Sequence, residues 1–230
     1  MIDVSCFAGP GPLVRSRYST LSAVEAHLRR AGVVRAAVSP MAGLFGPAPI
    51  GAVPEFFRPV PIVDPSSRLD AQDCVAVRIS PGSHGYRASE AAGLKEACGE
   101  LGLTLILQMR IADPRNLPAD LELGEVAVED ALALAAAAPA VPMVVAGARA
   151  GELPAILGET PDSVLADVSL AEEPDVLRRA VAAHGAHRLL IGTHTPFLTP
   201  VAAAQKLAAA RLAPREHEMV SRGNAERLGL

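Results

Sequence analysis

Tryptophan is absent from this chain of 230 residues, and aromatic residues make up only 3 % of it. A core must therefore be built from Ala, Val, Leu and Ile, and a nucleic-acid surface made of stacked rings is excluded. Basic residues are scattered singly or in short pairs such as Arg29-Arg30 and Arg178-Arg179, and the formal charge is -4. With no basic stripe, neither nucleic acid nor an anionic membrane is expected as a partner. Lysine occurs only as Lys95 and Lys206, a composition effect to which no function attaches. Cys6, Cys74 and Cys98 are odd in number and widely spaced, which argues against a disulfide framework and for reduced thiols. No apolar run reaches the roughly 18 residues of a membrane span, and no basic leader precedes the first strand-like segment. A soluble cytoplasmic protein is the expectation. No Gly-rich dinucleotide or phosphate fingerprint follows any strand-like run, which argues against a nucleotide-binding fold.

What is present is apolar material in short, regularly spaced runs. Half of the residues are hydrophobic, enough for one sizeable core. β-branched runs at 1–7, 34–39, 60–64, 74–80, 104–111, 141–146, 163–169 and 188–193 predict eight strands, and helical patterns separate most of them. The first helix has the clearest pattern. Ser22-Ala-Val-Glu25 resembles a capping box, Leu21, Val24 and Leu28 share a face, and Gly32 is placed to end it. Further helices are predicted at 89–101, 126–137, 174–184, 201–210 and 214–221, with Pro174 and Pro214 suited to first turns. The segment 41–59 is rich in Gly and Pro and is expected to be loop. No linker or repeat divides residues 1–230, so the expectation is a single α/β domain, a (β/α)8 barrel that is compact and irregular in its first half. A doubly wound open sheet is the alternative, because periodicity does not reveal closure.

Three motifs go further. The chain opens Ile2-Asp3-Val4-Ser5-Cys6-Phe7, carries Arg188-Leu-Leu-Ile-Gly-Thr-His-Thr-Pro-Phe197 late, and closes Gly223-Asn-Ala-Glu-Arg-Leu228. Together they resemble the amidohydrolase-related metal-dependent hydrolases, whose barrels open Ile-Asp-x-His-x-His and close Phe-Gly-Ser-Asp-x-Pro followed by Gly-Asn-Ala-x-Arg-Leu. Leu165-Ala-Asp167-Val-Ser169 likewise resembles that family's Phe-Asp-x-Ser segment. The resemblance implies a barrel with its site at the carboxyl ends of the strands, a divalent metal and, often, a homodimer. Yet Ser5 and Phe7 stand where the two opening histidines belong, Gln108 and Ala146 or Gly147 where later histidines belong, and His194 where the closing aspartate belongs. A catalytic zinc needs about three protein ligands, so no metal cofactor is expected, although ligands relocated to His84, His194, Asp64 and Asp167 are the alternative.

The candidate site residues follow from the strand ends. Arg78 interrupts an apolar strand and must meet an anion, either a substrate carboxylate or one of Asp64, Asp113 and Asp167. His194 is placed as a general acid or base, or else hydrogen-bonds within its own turn. Asp167 is placed to orient His194 or to pair with Arg78. Gln108 and Ser5 are expected to donate hydrogen bonds to a ligand, with Arg110 beside them. His84 and Tyr86 lie in an expected mobile loop, reaching over the pocket or merely on the surface. Cys6 should face the helices. The function expected is binding of, or hydrolase- or decarboxylase-type action on, a small carboxylated molecule. The alternatives are a non-catalytic pseudoenzyme serving as a ligand-binding or subunit module, and a conventional metal-dependent hydrolase with relocated ligands.

Overall fold

The described strands pair with one another in parallel, which requires crossover connections, mostly helices, between them, while Ala48 adds an isolated antiparallel bridge to Ile62. The computed structural model describes residues 1–11, 18–69, 74–112 and 123–230. Asp113 and Arg115 lie outside them. The strands are β1 (Ile2–Ala8), β2 (Arg35–Pro40), β3 (Phe57–Pro59), β4 (Ile62–Val63), β5 (Ala76–Ile79), β6 (Thr104–Gln108), β7 (Met143–Ala146), β8 (Val164–Asp167) and β9 (Leu189–Leu190). They form a three-stranded sheet β1-β2-β3 and a six-stranded sheet β4-β5-β6-β7-β8-β9.

Two seams join these sheets into a ring. At the first, β3 runs into β4: Val60 N donates to Val38 O (2.9 Å) and Arg78 N to Pro61 O (2.9 Å). The predicted strand at 60–64 thus begins earlier and is split, because Pro59 and Pro61 have no N–H to give a ladder. At the second seam Val4 N donates to Ile191 O (3.1 Å) and Phe7 N to Thr195 O (2.8 Å). With β3 and β4 counted as one path, eight strands circle the core, as the sequence predicts for a TIM-barrel-like domain.

The helices are α1 (Leu21–Arg30), α2 (Pro81–His84), α3 (Ala92–Leu101), α4 (Val128–Ala136), α5 (Leu153–Glu159), α6 (Val176–His184), α7 (Pro200–Ala209), α8 (Pro214–Glu218) and α9 (Asn224–Arg227). The cap of α1 is Thr20, whose Oγ1 accepts from Ala23 N (3.2 Å). Ser22 lies inside the helix, and Glu25 pairs with Arg29 (2.8 Å) instead of closing a capping box. Gly32 takes φ +80, as a left-handed helix end requires. Helix α5 was not predicted, since Gly151, Pro154 and Gly158 mask the i, i+3, i+4 spacing of Leu153, Ile156 and Leu157, all buried. Among the described residues no helix is long and apolar enough to cross a membrane.

The interior of the ring is layered. Near the strand amino ends Ile2, Val4, Ala76, Ile106, Val144 and Leu165 pack together with Ala225 and Leu230. The C-terminal turn therefore closes this end of the ring. Asn224, from the Gly-Asn-Ala motif, fixes it by donating from Nδ2 to the carbonyls of Ala186 and Leu189, both at 2.7 Å. At the strand carboxyl ends Phe7, Met41, Leu44, Ile62 and Ile111 form a second apolar layer with Phe197 against it. Between the two lies a belt of buried polar groups. Replacing Asn224 with Ala removes the side-chain donor from two buried carbonyls, leaving Ala186 O with the Leu189 N–H alone, at about 1–3 kcal/mol in all. Urea denaturation of N224A should show a midpoint loss equivalent to about 2 kcal/mol, at unchanged slope.

Candidate functional site

The polar belt begins on β1. A bulge between Asp3 and Cys6 breaks the strict alternation expected there. Val4 turns inward with Ile2, while Ser5 and Phe7 also face the belt. Cys6 packs on Val24 and Leu28 of α1, facing the helices as expected, and burial pushes its thiol well above the usual range.

Arg78, on β5, is fully buried. Its Nε donates to Ser39 Oγ (2.9 Å), Nη1 to Gln108 Oε1 and Nη2 to Val4 O (3.1 Å). The guanidinium carbon lies 4.9 Å over the Phe7 ring, a cation–π contact that partly replaces lost hydration. Among the described residues, no carboxylate pairs with it as the sequence allowed, and Asp113 lies outside them. Neither Asp64 nor Asp167 comes within ion-pair distance, and neutral acceptors reachable inside the ring take that place. Burial lowers the Arg78 pKa to about 10, against the opposing pull of Asp167 and Asp3, so the group stays cationic at neutral pH. Five N–H groups are available and three are used.

His194 follows β9 with φ +53, a backbone conformation that non-glycine residues adopt at a cost. Its carbonyl accepts from Phe197 N (2.9 Å) and Leu198 N (3.1 Å), which holds the turn. Nε2 bonds the carbonyl of Ile111. A carbonyl only accepts, so Nε2 carries the proton and Nδ1 presents a lone pair to Ser5 Oγ at 3.4 Å. Burial, assisted by Arg78, lowers the His194 pKa, and the ring is neutral at pH 7.

Asp167, at the end of β8, contacts neither His194 nor Arg78 directly. Its Oδ1 accepts from Ser169 N (2.7 Å), whereas Oδ2 is buried with no donor among the described residues. Gly192 makes room for this arrangement: a Cβ there would lie 2.8 Å from the Ser5 Cβ and 3.0 Å from the Asp167 carboxyl. Gln108 is committed at both ends, to Arg78 and by Nε2 to Arg110 O (2.7 Å). Arg110 is drawn away into a two-pronged pair with Glu152 (2.7 and 2.6 Å). His84 ends the helical turn α2 after β5 rather than lying in a loop, while Tyr86 follows it in a bend, in the loop expected there. His84 Nε2 bonds Gly43 O (2.7 Å), while His84 Nδ1 and the Tyr86 hydroxyl are buried without partners among the described residues.

The sequence reading passed over Asp3 as a site residue. Its Oδ1 accepts from Ser5 N (3.0 Å) and Thr193 N (2.8 Å), and Oδ2 contacts Thr193 Oγ1. Desolvation outweighs these bonds, and the Asp167 charge adds to it, raising the Asp3 pKa to about 6. The signal was visible in principle, since an acid in an apolar strand poses the same question as Arg78.

No family model matches the sequence, and no curated protein matches it. Solved structures do match over nearly their whole length. Dihydroxybenzoic acid decarboxylase from Polaromonas sp., solved with manganese and 2-nitroresorcinol, is similar at TM-score 0.73 and 17 % identity, over 99 % of this chain and 96 % of that one. 5-Carboxyvanillate decarboxylase from Sphingomonas paucimobilis gives 0.71 and 15 % over 99 % and 98 %. An amidohydrolase II protein gives 0.66 and 15 % over 99 % and 98 %. The fold is that of the amidohydrolase-related barrels. The resemblance puts Ser5, Phe7, Gln108, Ala146 or Gly147, and His194 at the positions of its metal ligands, and the Arg78 guanidinium lies beside Gln108 in the same layer. Among the described residues, no three His, Cys, Asp or Glu side chains gather to hold an ion.

Two titrations in this barrel act on stability with opposite sign. Asp3 holds a proton in the fold that the unfolded chain releases near 3.8. Its contribution is therefore complete below that value and is lost as pH rises through about 6. His194 contributes stability above its unfolded pKa of 6.5 that is lost as pH falls through its lower folded value. Between about pH 7 and about pH 5, Asp3→Asn should steepen the fall in unfolding free energy and His194→Gln should flatten it. Urea titrations read both, and slopes equal to the parent's would contradict the assignment.

Proposed function

We propose that this chain binds a small carboxylated molecule at the carboxyl ends of its strands, and acts on it by hydrolase-type chemistry without a complete metal site. The observation that carries the reading is Asp167 Oδ2. A buried carboxylate oxygen with no donor among the described residues is suited to a hydrogen-bonding group from a ligand, and it lies in the belt that holds Arg78 and His194. Arg78 would supply the positive charge that draws a carboxylate, through the two N–H groups it has left. His194, neutral and with its Nδ1 lone pair aimed at Ser5, would take a proton from a hydroxyl or a water; its Nε2 proton is occupied by Ile111. Ser5 would hand that proton on or hold the ligand. Gln108 and Arg110 would fix the position of the Arg78 guanidinium and the strand end, and His84 and Tyr86, with unpartnered polar atoms, would lie at the rim. The neighbouring decarboxylases, whose names refer to carboxylated aromatics, support the substrate class. Decarboxylation would need a proton donor that neutral His194 does not provide, so base-assisted hydrolysis fits the geometry better.

A second reading, a pseudoenzyme kept for ligand binding or as a subunit, is favoured by the complete burial of Arg78 and His194 beneath Phe7, Met41 and Leu44. Calorimetric titration with small aromatic and aliphatic carboxylates, alongside turnover assays on their esters and amides, separates the two. The first reading expects binding and turnover that survive chelator and fall about tenfold or more in D167N. Binding without turnover would support the second. Activity appearing only when manganese or zinc is added, with about one ion per chain, would overturn both and restore a metal hydrolase.

A further inference from the structure

At the opposite end of the ring, by the first residues of β1 and β2, lies a groove of about 370 Å³ that no part of the proposed function uses. Four arginines line it, Arg29, Arg35, Arg58 and Arg222, in a chain whose formal charge is -4. Two of them are already matched. Arg29 pairs with Glu25 (2.8 Å) and lies 4.5 Å above the Phe56 ring, while Arg222 pairs with Glu218 (3.2 Å) and Glu226 (3.0 Å). The other two are not. Arg58 Nη1 donates only to the carbonyls of Glu55 (3.2 Å) and Phe57 (3.4 Å), and Arg35 Nε is buried with no acceptor. Among the described residues neither forms an ion pair, although the Glu55 side chain shares the groove.

Guanidinium N–H groups removed from water without acceptors are costly, and their fork matches the paired oxygens of carboxylate and phosphate. The volume is at the small end of the range for ligand pockets, enough for one ring or a short chain. An apolar wall is provided by Phe56 and by Val34, which is 62 % exposed. We infer that this groove binds a small oxyanion-bearing molecule, its phosphate or carboxylate between Arg35 and Arg58 and its apolar body against Phe56 and Val34.

Isothermal titration at low salt with inorganic phosphate, phenyl phosphate and benzoate tests this. Saturable binding of phenyl phosphate or benzoate is expected, tighter than inorganic phosphate, and the tighter of the two names the oxyanion. Arg35→Gln and Arg58→Gln should each weaken it about tenfold or more, the worth of one charge-assisted hydrogen bond. Arg58→Lys, which keeps charge but not the fork, should fall between. His194→Gln, at the other end of the barrel, should leave this binding unchanged. The inference fails if no probe saturates by about 10 mM, or if R35Q and R58Q bind as the parent does. It also fails if those variants lose self-association while the parent binds no probe, which would make the groove a subunit contact.

Discussion

The interior of this barrel is organised around one buried cation. Burying a guanidinium away from a contacting carboxylate is expensive, several kcal/mol even after relaxation, and the belt is arranged to reduce that cost. Ser39, Gln108 and the Val4 carbonyl each accept one N–H, and the Phe7 ring covers a face. The anions stay at a distance, where Asp167 and Asp3 still hold the Arg78 pKa up against burial. In turn the cation helps keep His194 neutral. Removing Arg78 would therefore release three acceptors and the charge balance of the belt together.

This arrangement explains which parts of the molecule were legible in the sequence. The alternation of parallel strands and helices was legible because strand and helix spacing is local, whereas closure into a ring was not, since periodicity does not encode it. Departures came where a local rule met a competing one. Pro59 and Pro61 split one strand into two, Thr20 displaced Ser22 as a cap, and two glycines and a proline concealed α5. The partners of Arg78 were not legible at all. Ser39, Gln108 and Val4 are brought to it from three other strands, and no spacing along the chain encodes that meeting. The need for a partner was readable from an Arg in an apolar strand; the partner's identity required the ring.

The two ends of the barrel are used differently. At the strand amino ends, the C-terminal turn plugs the ring with Ala225 and Leu230 and is bolted by Asn224, which gives the segment Gly223-Asn-Ala-Glu-Arg-Leu228 a structural role independent of catalysis. At the carboxyl ends, closure by Phe7, Met41, Leu44 and Ile62 dries the belt, and a dry belt strengthens each electrostatic interaction within it.

The packing around Ser5, Gln108 and Gly147 sets what a metal-ligating side chain placed there would cost. Here Gly147 has φ +77, and a side chain on it would lie 2.8 Å from Gln108 Nε2 and 2.9 Å from the Arg110 carbonyl. Gly192 is pressed in the same way between Ser5 and Asp167. Histidine at position 5 would have to displace this contact, and histidine at 108 would leave Arg78 without an acceptor. An ion placed beside Arg78 would meet the guanidinium charge. Histidine at these positions thus demands coordinated change at Ser5, Arg78, Gln108 and Gly147, which are fitted to one another around the buried cation.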